Sequence, residues 1–146
     1  IRLGTFVERA DNTARLLKLR YRHHRAGMAD HYALVALLES VSAHDAYQSI
    51  YHDTVSAPKV AELLILNPDV PRSLAACFGE ISQIVAQIAG PRGRNAKKLA
   101  AEMAAALLYG DIQDILAQGM QNYLHHFIGQ TAELDALLHT AYMEAL

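Results

Sequence analysis

The chain has 146 residues, with 13 Lys and Arg against 15 Asp and Glu, 8 His, a single Cys and no Trp. A hydrophobic fraction of 52% and a formal charge of −2 exclude a disordered segment, and one cysteine excludes an internal disulfide framework or a cysteine-based zinc cluster. A chain of this size buries roughly 68–70% of its unfolded surface, enough for one cored domain.

No uncharged apolar run approaches the ~18 residues of a membrane span, and no secretory signal pattern opens the chain, so the expected compartment is the cytoplasm. The sequence starts at Ile1 without Met and is already in helical pattern there. It therefore reads as a single domain over residues 1–146 that is a fragment or one repeat of a longer protein. The small net charge is a cancellation of blocks: residues 1–25 carry +5, 30–69 carry −5, 70–98 carry +4, and 99–146 contain six acids and no Lys or Arg. Alternating blocks suit helices packed beside oppositely charged neighbours better than a uniform nucleic-acid-binding face.

Apolar residues recur at spacings of three and four almost everywhere, and no stretch alternates with period two. The first predicted helix runs from Arg2 to about His24, with Leu3, Phe6, Val7, Ala10, Ala14, Leu17 and Tyr21 on one stripe and Gly27 as its stop. Leu16 and Leu19 lie on other sides, which predicts cover from more than one direction. The second runs from Asp30, as N-cap, to Tyr51, with Leu34, Leu37, Leu38 and Val41 on its stripe. Asp45 is next on that line, and a carboxylate on a buried line needs a partner or a site.

Ser56 and Pro58 open a third helix whose run Val60 to Leu66 is apolar nearly all round. Asn67-Pro-Asp-Val-Pro71 breaks the chain, and Pro71 then seeds a fourth helix at its first position, with Leu74, Phe78, Ile81, Val85 and Ile88 in line. Gly90-Pro-Arg-Gly93 ends it. A fifth helix spans Arg94 to Leu108, Asp111 caps a sixth, and that one ends near Tyr142. The sum is an all-α bundle of about six helices with short connections.

The segment Leu3 to Leu17 holds the densest polar constellation. Glu8, Asn12 and Arg15 are spaced i, i+4, i+7 and share a facet, while Arg9 points about 100° away toward a different neighbour. Such a cluster can bind an anion or another chain. The weightier alternative is an inter-helix ion-pair network, with Glu8, Arg9 or Arg15 meeting Asp45 or Arg72, because buried charges in bundles occur paired. The turn from Asn67 to Ser73 is a second candidate: free N–H groups of the following helix, with Arg72 and Ser73, could hold phosphate or carboxylate. Plain capping by Asp69 is the simpler expectation.

The histidines offer no metal site. His23-His24 and His125-His126 are adjacent pairs, His44 and His52 lie eight apart, and no HExxH occurs, so neither metal nor cofactor is expected. His139 with Asp135 is an i, i+4 surface pair. Cys77 falls on the buried side of its helix and reads as a small hydrophobe. Arg92, Arg94, Lys97 and Lys98 form a basic loop that lacks the P-loop pattern. Together with Arg20, Tyr21, Arg22, His23 and Arg25 they allow only a weak nucleic-acid reading.

The residues from Leu3 to Leu17, with Glu8-Arg9 at their centre, resemble the signature of the bacterial alpha-E domain family, helical proteins named for that dipeptide. Ser40-Val-Ser-Ala43 followed by Asp45, Tyr47 and Tyr51 is similar to the family's second helix. Leu63-Leu-Ile-Leu-Asn-Pro-Asp69, Pro71-Arg72-Ser73 and Cys77 resemble its third segment. Tyr109, Asp111 and Gly119-Met120 through Leu124 resemble its closing helix. Thr5, Lys18 and Asn67 depart from the family's usual Arg, Asp and Asp. The resemblance implies a chain that forms the C-terminal half of a two-repeat protein and pairs with the missing N-terminal half or with itself. It also implies company: ATP-grasp-type ligases and transglutaminase-like proteins of amide-forming systems. No catalytic residues come with it. Three functions follow in order of preference. The first is an accessory domain docking with such a ligase through Glu8, Arg9, Asn12, Arg15, Asp45, Arg72 and Ser73. The second is an enzyme using Glu8 as acid/base on an activated acyl or phosphorylated substrate. The third is a nucleic-acid-contacting module.

Overall fold

The computed structural model describes residues 2–21, 28–88 and 90–143. Among them the chain forms eight α-helices, one short 3-10 turn and no strand. They are α1 (Arg2–Tyr21), α2 (Met28–Ser40), α3 (His44–Tyr51), α4 (Ala57–Leu66), α5 (Leu74–Ile88), α6 (Arg94–Leu108), α7 (Ile112–Gln118) and α8 (Met120–Met143), with the 3-10 turn at Pro91–Gly93. The all-α class expected from periodicity is thus present. The expectations for Arg22, His23, His24, Arg25 and Gly27 lie outside the described residues. No described helix is long and apolar enough to cross a membrane.

The expected six helices become eight because two of them are broken. The second ends at Ser40, where Ser42 takes a left-handed conformation (φ 56°). Its amide donates to the Glu39 carbonyl at 3.1 Å and the Ala43 amide donates to the Leu38 carbonyl at 2.8 Å. That pair of bonds is a Schellman stop, and the buried Ala43 and Leu38 supply its apolar contact. The last expected helix is broken at Gly119 (φ 100°), whose amide bonds back to the Ile115 and Leu116 carbonyls.

Two other helix starts differ from expectation. Ser56 precedes α4 without a side-chain cap, and its amide donates instead to the Tyr47 hydroxyl at 3.1 Å. Tyr47 is fully buried and donates in turn to the Thr54 carbonyl, so one phenol ties down the α3–α4 connection. Pro71 does not start α5. Ser73 caps it: the hydroxyl accepts the Ala76 amide at 3.0 Å and donates to the Asn67 carbonyl at 2.5 Å. Asp69 is exposed and its own amide donates to the Asn67 side chain, so the cap assigned to Asp69 belongs to Ser73. A hydroxyl that both donates and accepts closes the turn and the helix together.

The core is organised by α1, which packs mainly against α5 and α8, while α6 lies along α5. Ala10 and Ala14 of α1 are wholly buried, and these short side chains let the helices approach closely. Phe78 of α5 meets Phe127 of α8 edge-to-face at 5.3 Å between centroids. Leu16 is half-buried, but Leu19 is 55% exposed and Ile88 51% exposed, so these two leave the predicted apolar cover.

Candidate functional site

One side of α1 borders a shallow depression of about 210 Å³, completed by the end of α2 and the turn before α5. Glu8, Arg9, Asn12 and Thr13 contribute from α1 and Arg72 from the turn. The Ser73 cap fixes where that turn leaves Arg72. Arg9 was expected to face a different neighbour from Glu8, yet both border the same depression. The Arg9 guanidinium lies over the Phe6 ring at 5.4 Å from the centroid, on the side of the helix away from Glu8, so the two side chains border the depression from opposite edges.

The expected ion-pair network does not form. Among the described residues, Glu8, Arg9 and Arg72 have no oppositely charged atom within 4 Å; the ion pairs there are Arg2–Glu80, Arg15–Asp11, Lys59–Asp53 and His139–Asp135. Three charges on one rim therefore have no counter-ion within 4 Å among the described residues. Thr13, which the sequence reading passed over, lies beneath them at 2% exposure, and its hydroxyl makes no hydrogen bond among the described residues. Thr131 of α8, equally buried, shows the ordinary solution by donating to the Phe127 carbonyl at 2.9 Å. The signal for Thr13 was present in the sequence: a hydroxyl at i+3 from Ala10 on the buried stripe.

Arg15, Asp45 and Ser73 stand apart from this rim. The Arg15 side chain is held by Asp11 at 2.8 Å and faces a second groove, of about 470 Å³, between α1 and α8. Glu8 borders that groove too, opposite Asp135 and His139. Asp45 is exposed in the first turn of α3, where the helix break has lifted it off the buried line. There a carboxylate interacts favourably with the helix dipole and needs no partner. Ser73 is wholly buried in its capping role.

Cys77, one turn into α5, is buried, and its thiol lies 3.8 Å from the Pro71 carbonyl. Burial pushes the thiol up to about 11, and the Arg9 and Arg72 guanidiniums pull weakly the other way. The raised thiol is protonated near neutral pH, so little of it is the reactive thiolate. The native protein, with this thiol wholly buried, should accordingly react with a disulfide reagent at pH 8 at least about tenfold more slowly than the urea-unfolded chain. Equal rates would contradict the burial of Cys77.

The remaining sequence candidates are dispersed. Arg94, Lys97 and Lys98 are exposed at the start of α6 around an open concavity of about 540 Å³. The Tyr21 hydroxyl is turned inward, donating to the Ala57 carbonyl, so it is not offered to a nucleic acid. His125 is exposed beside Lys18, and His139 keeps its surface pairing with Asp135.

Fold and site together define an α-helical domain whose first helix displays a Glu-Arg pair on an open polar patch. The chain belongs to the Alpha-E family, described as a predicted alpha-helical domain with a conserved ER motif, whose profile matches residues 1–143. Glu8-Arg9 supplies that dipeptide here. No curated protein and no solved structure matches the chain.

Proposed function

We propose that this domain is an accessory or partner subunit of an ATP-grasp-type ligase system that forms amide or peptide bonds, and that the Glu8, Arg9, Asn12 and Arg72 patch is its contact surface. The observation that carries this is the unpaired rim itself. Charges left without counter-ions on an open surface are available to a partner, and complementary charges set orientation and encounter rate. The depression, at about 210 Å³, is smaller than the ~300–1,000 Å³ of sites that enclose a small molecule, which favours contact over enclosure. The similarity of the four sequence segments to alpha-E proteins supplies the kind of partner, with a transglutaminase-like protein as a further member of the assembly. A bacterial cytoplasm, where ATP-dependent ligation is carried out, is the setting this reading implies.

Co-purification of the full-length protein with the ligase encoded beside it tests the proposal. A complex is expected, and Glu8→Lys should reduce the retained ligase at least tenfold while leaving the helical spectrum unchanged. Absence of any complex, with ligase activity unaffected by the domain, would overturn it. One observation favours an enzyme instead: Glu8 also borders the larger groove that holds Asp135 and His139. In that case Glu8→Gln would abolish turnover while preserving both folding and ligase binding.

A further inference from the structure

We propose that the depression between α1 and the Arg72 turn is a subsite for a single carboxylate group, held by the Arg9 and Arg72 guanidiniums and by the Thr13 hydroxyl. The inference deepens the docking reading by naming the chemical group the patch accepts, yet it is tested on this chain without a partner.

Two observations converge on it. Arg9 and Arg72 come from different elements to one rim, and neither meets an acid within 4 Å among the described residues. A guanidinium presents a planar fork of donors that matches a carboxylate, and two such forks with no counter-ion form an incomplete set. Thr13 is the second and independent observation. Native interiors leave few buried polar groups unsatisfied, and a threonine inside a helix has a ready acceptor in the carbonyl four residues back. Thr131 uses that acceptor and Thr13 does not, although both are 2% exposed. Thr13 lines the depression with a donor that has no acceptor among the described residues, and an arriving oxygen would supply one.

Size and sign narrow the ligand. About 210 Å³ accommodates a head group rather than a whole large ligand. Glu8 on the same rim sets one negative charge against two positive ones, leaving a net charge of +1 around the opening. A monoanion fits that balance: doubling the ligand charge doubles its attraction to a site of net +1, but its desolvation cost rises with the square of the charge, so a phosphate dianion is the poorer ligand. Glu8 therefore acts as a selectivity element within the site.

The test is a titration of the full chain, followed by amide chemical shifts, with sodium acetate and in parallel with inorganic phosphate at constant ionic strength. Acetate should give saturable shifts at Arg9, Thr13 and Arg72, and phosphate should bind at least threefold more weakly. Arg72→Gln and Thr13→Val should each weaken acetate binding about tenfold. Thr13→Val should do so without lowering the melting temperature, since it removes a hydroxyl that has no partner in the free protein. A purely structural threonine would give the reverse pattern, a lowered melting temperature and unaltered acetate affinity. Glu8→Gln should erase the preference for acetate over phosphate. The proposal fails if acetate leaves those amides unmoved, if phosphate binds there more tightly than acetate, or if Thr13→Val binds acetate normally.

Failure here leaves the docking reading standing, because ligase co-purification is scored separately. If acetate binds and also displaces the ligase, the carboxylate belongs to the partner protein. If acetate binds without displacing it, the subsite serves a free small carboxylate.

Discussion

Truncating Phe78 to alanine should lower the unfolding free energy by about 3–5 kcal/mol, measured by urea denaturation with the slope held in common. Phe78 is fully buried on α5 and meets Phe127 of α8 edge-to-face, at the level where α1, α5 and α8 pack together. The loss combines the transfer free energy of the ring, its aromatic contact and the cavity it leaves. Collapse into that cavity is limited because α1 contributes the short, wholly buried Ala10 and Ala14 to the same core. Phe78→Leu should recover more than half of the loss. A destabilisation under about 1 kcal/mol for the alanine variant would contradict this packing.

Ser73→Ala should cost about 2–3 kcal/mol, more than an ordinary helix cap. The cap bond to the Ala76 amide is worth about 1 kcal/mol, and the Asn67 carbonyl loses its donor as well, at about 1–2 kcal/mol more. Ser73→Thr retains both bonds and should be nearly neutral. Asp69→Ala, one turn earlier and exposed, should shift stability by less than about 0.5 kcal/mol, which distinguishes the two residues as caps. The effect also reaches the candidate site. Arg72 is placed by the bond between Ser73 and Asn67, so Ser73→Ala should loosen the guanidinium from the rim and weaken acetate binding even where the protein remains folded.

The helices were legible because burial imposes a period of 3.6 on each, and the polar patch was legible as far as it lies on one helix: Glu8, Arg9 and Asn12. The α2–α3 break was not. A Schellman stop ordinarily advertises itself with glycine, whereas here Ser42 adopts the left-handed conformation and Val41 continues the apolar stripe without interruption. Reading through that break put Asp45 on a buried line it does not occupy. Pro71 misled for the opposite reason: proline is a strong start signal, but the helix begins three residues later, where a serine can bond in both directions. The meeting of Arg72 with Arg9 depends on how α5 lies against α1, and no local pattern encodes it. Thr13 was hidden by its place among alanines, since a small hydroxyl on an apolar stripe differs little from a small apolar residue until its hydrogen bonds are traced.

Gly119 carries a consequence for how the length of this chain can vary. At about 100° per residue, Ile115 and Leu124 would point to opposite sides of an uninterrupted helix, being nine positions apart. Both are nevertheless buried, because the positive φ at Gly119 restarts the helix in a new rotational phase. From there Phe127, Thr131, Leu134 and Leu138 follow in register toward the core. Removing or adding one residue at this joint swings the whole of α8 by about 100° and turns that face to water. A surface joint of one residue is therefore a place where this domain cannot gain or lose chain length without turning a core face outward.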